Sequence, residues 1–279
     1  MNLTSPSQVK AWCLANGFHP NRTLGQNFLI DRNALEAIVD AADLEAPAKV
    51  LEIGPGLGVL TEELLRRGHE VTAVEKDPVL AERLAEALGS PAALTVLKGD
   101  ALDFIKEGVC DSFPALVSNL PYQAGTRILL ELIRRIPAIP EKMVVLVQTE
   151  VAERLAAAPG SKTRGLSGVW TQLDYDVVPV RTVKANCFWP RPEVGSTVVK
   201  LVRHHRNDAL APEVRDMLHR LTKRAFEHRR KQLGAVFKGV VETTARAEEL
   251  SNEEWLGLAQ ALASEGISID GNRERKLET

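Results

Sequence analysis

The spacing of apolar positions changes character along this chain. From Lys49 to Thr149, short apolar runs alternate with segments of helical period. Lys49–Ile53, Glu70–Glu75, Leu94–Lys98, Ala115–Ser118 and Met143–Thr149 read as short buried strands. Between them, Leu57–Arg67 reads as a helix closed by Gly68, Pro78–Leu88 as one closed by Gly89, and Thr126–Arg135 as a third. This alternation predicts a parallel sheet covered by helices on both faces. Upstream, Ser5–Leu14 reads as a helix with a Ser5/Gln8 capping box, and Asp31 is placed to cap a helix running to Ala42. Downstream, a helix to about Ala158 is followed by the break Pro159-Gly160-Ser161-Lys162 and a helix over Gly165–Leu173. Tyr175–Val183 and Thr197–Arg203 read as two more strands. Beyond Asn207 the period is helical throughout, over Pro212–Phe226, Arg229–Phe237 and Glu253–Ala263. A domain boundary is therefore expected near 205, giving domains 1–205 and 206–279.

Composition narrows the class. With 279 residues, 44% hydrophobic and 26% charged, the chain can build a sizeable core. No apolar run approaches a membrane span, and the N-terminus lacks the pattern of a secretory signal. Three scattered cysteines, Cys13, Cys110 and Cys187, suit neither a disulfide framework nor a metal site, so a cytosolic protein with reduced thiols and no metal is expected. The net charge of −2 hides a strong asymmetry. Residues 181–240 carry 14 lysines and arginines against 5 acidic residues, whereas 241–279 carry 4 against 9. The basic segment is either a solvated helical face or a footprint for phosphates.

The strand ends carry the chemistry. Glu52-Ile53-Gly54-Pro55-Gly56-Leu57-Gly58 lies at a strand-to-helix junction, where glycines admit a ligand close to the backbone. Glu75 ends the next strand, 21 residues after Gly54, where a carboxylate can accept from ribose hydroxyls. Asp100 ends the third, where it can accept from an adenine amine. The spacing departs from the Gly-x-Gly-x-x-Gly of dinucleotide sites, and there is no phosphate-loop lysine. An acidic Glu52 beside the glycines disfavours a phosphate and suits a cationic cofactor such as S-adenosylmethionine.

Asn119-Leu120-Pro121-Tyr122 follows the fourth strand. An exocyclic adenine amine is a poor nucleophile, because its lone pair is delocalised into the ring. It must be held by hydrogen-bond acceptors in line with the methyl group. Asn119 supplies a side-chain carbonyl, Pro121 excludes helical geometry at Leu120 so that the Leu120 carbonyl can face the same amine, and Tyr122 offers a flat ring for stacking. The target base must leave its stack to reach such a pocket. Phe188 is either a second stacking face or a core aromatic.

These residues resemble the bacterial small-subunit ribosomal RNA adenine dimethyltransferases, over nearly the whole chain. The match rests on Leu24-Gly25-Gln26-Asn27-Phe28-Leu29, Glu52-Ile53-Gly54-Pro55-Gly56, Asn119-Leu120-Pro121-Tyr122, Arg191-Pro192-Glu193-Val194 with Ser196-Thr197-Val198-Val199, and Ala225-Phe226 with Arg229-Arg230-Lys231. The resemblance implies a Rossmann-like S-adenosylmethionine methyltransferase sheet with a small all-α C-terminal domain. It implies cofactor contacts from Asn27, Leu29, Gly54, Glu75, Asp100 and Asn119, and a flipped adenine held between Tyr122 and Phe188. It implies a basic C-terminal helix with Arg229, Arg230 and Lys231 on RNA. The expected partner is 16S rRNA in the assembling small subunit, dimethylated at N6 of two adjacent adenosines in its 3′-terminal hairpin loop; no membrane partner is expected, and the chain is expected to act as a monomer. Gln123-Ala124-Gly125 stands where the family usually has Asn-Ile, and Trp189 where a small polar residue or proline is usual. Three rivals remain at this point: a large-subunit RNA methyltransferase, against which Leu120 argues because that branch more often has isoleucine; an assembly factor without activity; and a methyltransferase acting on small molecules or protein.

Overall fold

The structure, a computed structural model, describes residues 1–21, 24–111, 113–135, 138–267 and 269. It divides into two compact units, Met1–Ala152 with Asp176–Arg203, and Glu153–Tyr175 with His204–Thr279. The second unit thus takes in Glu153–Tyr175, a segment that the sequence reading places with the sheet.

The first unit is built on a seven-stranded sheet. In chain order its strands are β2 (Lys49–Ile53), β3 (Glu70–Glu75), β4 (Leu94–Lys98), β5 (Ala115–Asn119), β6 (Lys142–Gln148), β7 (Tyr175–Val183) and β9 (Ser196–Arg203). The spatial order is β4-β3-β2-β5-β6-β9-β7. β2 through β6 pair in parallel, but β9 runs antiparallel to β6, with Val145 opposite Val199. The sheet is therefore mixed rather than purely parallel. β9 follows β7 without an intervening α-helix and lies between β7 and β6, so no helical crossover brings it into the common direction. The central strands are buried on both faces, from Val50 and Leu51 through Leu116 and Val117 to Met143–Leu146, which explains why they read as continuous apolar runs.

Helix α2 (Arg32–Ala42) buries Ala34, Leu35, Ile38, Val39 and Ala42, a stripe at helical spacing, and packs on β5, β6 and β9. Each fully buried leucine or isoleucine of that stripe contributes about 1.5–3 kcal/mol. Helices α3 (Val59–Arg66) and α4 (Pro78–Ala87) pack on β3, the latter also on β4, and share one apolar cluster with α2. Asp31 caps α2 through Ala34 N at 2.8 Å, as its position predicts, and Asp77 caps α4 just before Pro78. Two short helices complete the parallel crossovers, α5 (Ala101–Lys106), which the sequence reading left unassigned, and α6 (Gly125–Ile133).

The capping box expected at Ser5 and Gln8 does not form. Helix α1 (Pro6–Ala15) starts there, but the Gln8 carboxamide accepts from Asn2 N and the Ser5 hydroxyl bonds to that of Ser7. A two-residue strand, β1 (Phe28–Leu29), pairs antiparallel with β8 (Phe188–Trp189), setting Leu29 opposite Phe188.

The chain continues through α7 (Thr149–Leu155), and the second unit is helical: α8 (Leu166–Asp174), α9 (Pro212–Glu227), the single turn α10 (Leu233–Val236) and α11 (Asn252–Ser264), which carries a true capping box, Ser251 with Glu254. Arg164, with no exposed surface, donates to the Ala157 carbonyl, Gln172 and Asn252, and Arg215 grips Asp174 with both terminal nitrogens at 2.9 and 3.0 Å. The helix expected over Arg229–Phe237 is a correction: Arg229, Arg230 and Lys231 sit in the turn after α9, and only Leu233–Val236 is helical. The chain leaves helical geometry there because Gln232 forms a bridge with Arg246, and Leu233 N donates to Ala245 O. Among the described residues no helix is long and apolar enough to cross a membrane.

Candidate active site

The parallel strands β2, β3, β4 and β5 deliver their carboxyl ends to one cavity of about 370 Å³ in the first unit. It is lined by Asn27 and Leu29 from the N-terminal segment, Gly54, Glu75, Asp100, and the run Asn119–Tyr122. Every cofactor residue expected from the sequence is among these. Of the four residues expected at the reacting base, Phe188 alone does not line the cavity.

Glycine is required at the loop after β2. Gly56 holds φ +60°, and a β-carbon there would sit 3.0 Å from the Phe28 ring. Gly54 holds φ +72°, and a β-carbon there would lie in van der Waals contact with Pro121 at 3.4 Å. The two motifs, distant in sequence, therefore touch through a missing side chain. The Gly56 N–H donates to Glu75 Oε2 at 3.0 Å, and Asp77 N donates to Oε1 at 2.8 Å. Burial pushes the Glu75 carboxyl up, and these backbone donors oppose that rise. Asp100 caps α5 through Leu102 N at 2.9 Å and pairs with Lys76 at 2.8 Å, which holds its carboxyl below the usual range.

Glu52 departs from expectation. It is 1% exposed, accepts from the Thr61 hydroxyl at 2.7 Å, and burial pushes its pKa to about 8; the Thr61 bond works against that rise and nearby Glu75 adds to it. At neutral pH the group is mostly protonated, so the argument that a Glu52 anion repels phosphate does not hold. The folded value stands above the ordinary 4.5, so the folded chain holds an extra proton between 4.5 and about 8. The stability contributed by this site is therefore full below pH 4.5 and declines as pH rises to about 8. Glu52→Gln, neutral at every pH, is expected to flatten the fall in urea midpoint between pH 6 and 8; parallel profiles for both proteins would refute it.

Asn119 ends β5 at the cavity. Its Nδ2 donates to the Asn27 carbonyl at 3.3 Å, which orients the amide. The opposite atom, Oδ1, is buried, and no described protein group donates to it. A buried acceptor without a donor costs about 1–3 kcal/mol, so its retention calls for an explanation. Beside it, the Tyr122 hydroxyl shares a 2.5 Å hydrogen bond with Ser196, which fixes the ring. Phe188 is 2% exposed and meets Tyr122 edge to face, centroids 6.3 Å apart at 71°. It belongs to the apolar cluster around α2 and adjoins the Tyr122 ring.

Three residues not expected from the sequence also line the cavity. Gln26 ties the N-terminal segment to α4 by donating to Asp77 at 2.9 Å. Lys76 pairs with Asp100, and Arg127 stands at the cavity from the first turn of α6. Lys76 could have been found from its place beside Glu75; Arg127 carried no signal. In the second unit, Arg229 donates to the Lys162 carbonyl and lies 3.8 Å from Glu248, while Arg230 and Lys231 are exposed.

Comparison with known proteins agrees with this geometry. A family profile described as Ribosomal RNA adenine dimethylase matches residues 17–262. The chain is 39% identical over 294 residues to the Ribosomal RNA small subunit methyltransferase A of Bifidobacterium longum (strain DJO10A), covering 95% of each chain. It is 37% identical over 239 residues to the protein of that name from Opitutus terrae, covering 84% of each. Among solved structures, a dimethyladenosine transferase from Plasmodium falciparum is similar in fold, with TM-score 0.73 at 24% identity over 85% of this chain and 98% of that one. The 23S rRNA methyltransferase ErmE is similar with TM-score 0.64 at 26% identity over 85% and 99%. The sheet is thus of the Rossmann-like methyltransferase type. By a profile that spans most of its length and by relatives well above 30% identical, this chain is a methyltransferase and belongs to the ribosomal RNA adenine dimethylase family.

Proposed function

We propose that this enzyme uses S-adenosylmethionine to dimethylate the N6 amines of two adjacent adenosines in the 3′-terminal hairpin loop of 16S rRNA, acting as a cytoplasmic monomer on the small subunit late in its assembly. The single observation that carries the reading is the buried, undonated Oδ1 of Asn119 at the cavity. An exocyclic amine is a donor without a strong acceptor of its own, and it completes that atom. The names of the relatives supply the substrate class.

The residues present fit the cofactor. Glu75 has a buried carboxylate for the ribose hydroxyls, Asp100 retains lone pairs beyond those used by Lys76 and Leu102, and Gly54, Asn27, Leu29 and Asn119 line the same cavity. When bound, S-adenosylmethionine supplies an electrophilic methyl group on a sulfonium. The chain itself provides positioning: Asn119 Oδ1 and the Leu120 carbonyl accept from the amine, and Tyr122, held by Ser196 and backed edge-on by Phe188, stacks on the base. No strong base is needed, since a methylated, positively charged amine loses its proton readily. Residues 1–205 form the catalytic domain in this reading, and 206–279 the RNA-binding domain with Arg229, Arg230 and Lys231.

The 26% identity to ErmE makes large-subunit RNA the second reading. Incubation with labelled cofactor and either unmethylated small-subunit particles or protein-free large-subunit RNA separates the two. Mass spectrometry is expected to find two dimethyladenosines per small-subunit RNA and none in the other. Transfer to large-subunit RNA alone would overturn the proposal.

A further inference from the structure

The basic segment 181–240 is not uniform: six of its nine arginines are held by carboxylates or backbone carbonyls. Arg203 pairs with Glu141, Arg215 with Asp174, and Arg220 with Asp216. Arg224 donates to the Ile269 carbonyl and Arg229 to that of Lys162. Arg181 donates to the Asn33 carbonyl. These bonds hold the arginines in place, whereas a cation without a partner is free to turn toward a phosphate. Lys184 and Arg191 are among the cations not held in this way, and they are the two that flank Phe188. Both are exposed, and neither side chain has a hydrogen-bond or ion-pair partner among the described residues, although Glu193 is only two positions from Arg191. They stand at the two ends of one short segment: Lys184 immediately precedes the 3₁₀ turn Ala185–Cys187, and Arg191 follows Trp189-Pro190. Between them lies Phe188, held against Leu29 by strand pairing and against the edge of Tyr122.

From this placement we infer that Lys184 and Arg191 form a phosphate clamp within the catalytic unit, gripping the RNA backbone on either side of the nucleotide presented to Tyr122. The inference rests on the proposed RNA substrate. Extracting a base from its stack costs a few kcal/mol, and fixing the flanking backbone beside the pocket offsets part of that cost. The clamp acts through charge on phosphates and reads no base. The family resemblance implies RNA contacts from Arg229, Arg230 and Lys231 in the other unit; the clamp adds a contact next to the reacting base.

The test compares wild type, K184Q/R191Q, K184R/R191K and R230Q/K231Q on unmethylated small-subunit particles, with Kd measured from 50 to 200 mM salt and with kcat and KM for methyl transfer. For K184Q/R191Q, the slope of log Kd against log salt is expected to fall by about 1.5, the loss of two phosphate contacts. KM for particles is expected to rise about tenfold, with kcat within about twofold and S-adenosylmethionine affinity unchanged. K184R/R191K keeps the charges and is expected to keep the slope. A wild-type slope and KM in K184Q/R191Q would overturn the clamp, most clearly if R230Q/K231Q shifts both. A fall in kcat without a change in KM would also overturn it, by assigning the segment to base placement. Wild-type enzyme that neither binds nor methylates the particles would instead remove the proposed substrate, and the clamp with it.

Discussion

Asn119→Ala is expected to lose methyl transfer by about 10²–10³-fold or more in kcat, the range seen when one preorganised polar group is removed from a reacting centre. The reason lies in one atom. Oδ1 is buried at the cavity with no described donor, so its desolvation is already sustained in the folded protein and needs no reorganisation when an amine arrives. Alanine removes that acceptor and also the Nδ2 bond to Asn27 O, at 3.3 Å a modest loss. Because the deleted acceptor had no partner, the stability change is expected to be small, within about 1 kcal/mol. Cofactor affinity is expected to weaken only modestly, since Glu75, Asp100 and the glycine loop are untouched. Single-turnover rates, a cofactor titration and a thermal melt measured together check the claim. A variant with wild-type transfer sinks the mechanism, and one that melts far earlier would assign Asn119 to the fold instead.

The second large effect belongs to Glu75. Glu75→Ala is expected to weaken S-adenosylmethionine binding about 100-fold or more, because hydrogen bonds to a charged group contribute about 1.5–3 kcal/mol each. The carboxylate also receives Gly56 N and Asp77 N, so its removal leaves two backbone donors unpaired and loosens the turn that brings the glycine loop to the cavity. Glutamine is not a conservative replacement here. Both carboxylate oxygens accept, whereas an amide must turn its NH₂ toward one of the two donors. Glu75→Gln is therefore expected to bind between wild type and alanine. Calorimetric titration of cofactor into each protein decides it; equal affinities for all three would remove Glu75 from the cofactor site.

Much of this site was legible before the fold was known, for a reason visible in particular residues. Gly54, Glu75, Asp100 and Asn119 each end or follow a short strand, and parallel strands bring their carboxyl ends to one edge. Strand order was not needed to group them. The contacts that assemble the site from across the chain were not legible. Leu29 meets Phe188 only because β1 pairs with β8, Ser196 fixes the Tyr122 hydroxyl from β9, and Gln26 holds Asp77 at a separation of 51 residues. Local pattern also failed where two acceptors or donors competed. Gln8 turned to Asn2 rather than to the Ser5 backbone, and Gln232 joined Arg246 in a bridge rather than extending a helix.

The sequence by itself determined the strand–helix alternation, the glycine loop with its acidic partners, and the Asn-Leu-Pro-Tyr quartet, because these depend on local period, turn chemistry and short spacing. Only the tertiary structure decided what charge and burial do to them. Glu52 became a mostly protonated group because it lies beneath the loop, and Asn119 kept an unanswered acceptor because Asn27 takes its other end. The basic run was divided into held arginines and cations left without a partner, Lys184 and Arg191 among them, according to which carboxylates and carbonyls folding placed beside each. Charge state and availability depend on neighbours brought from far along the chain, and a linear pattern does not contain them.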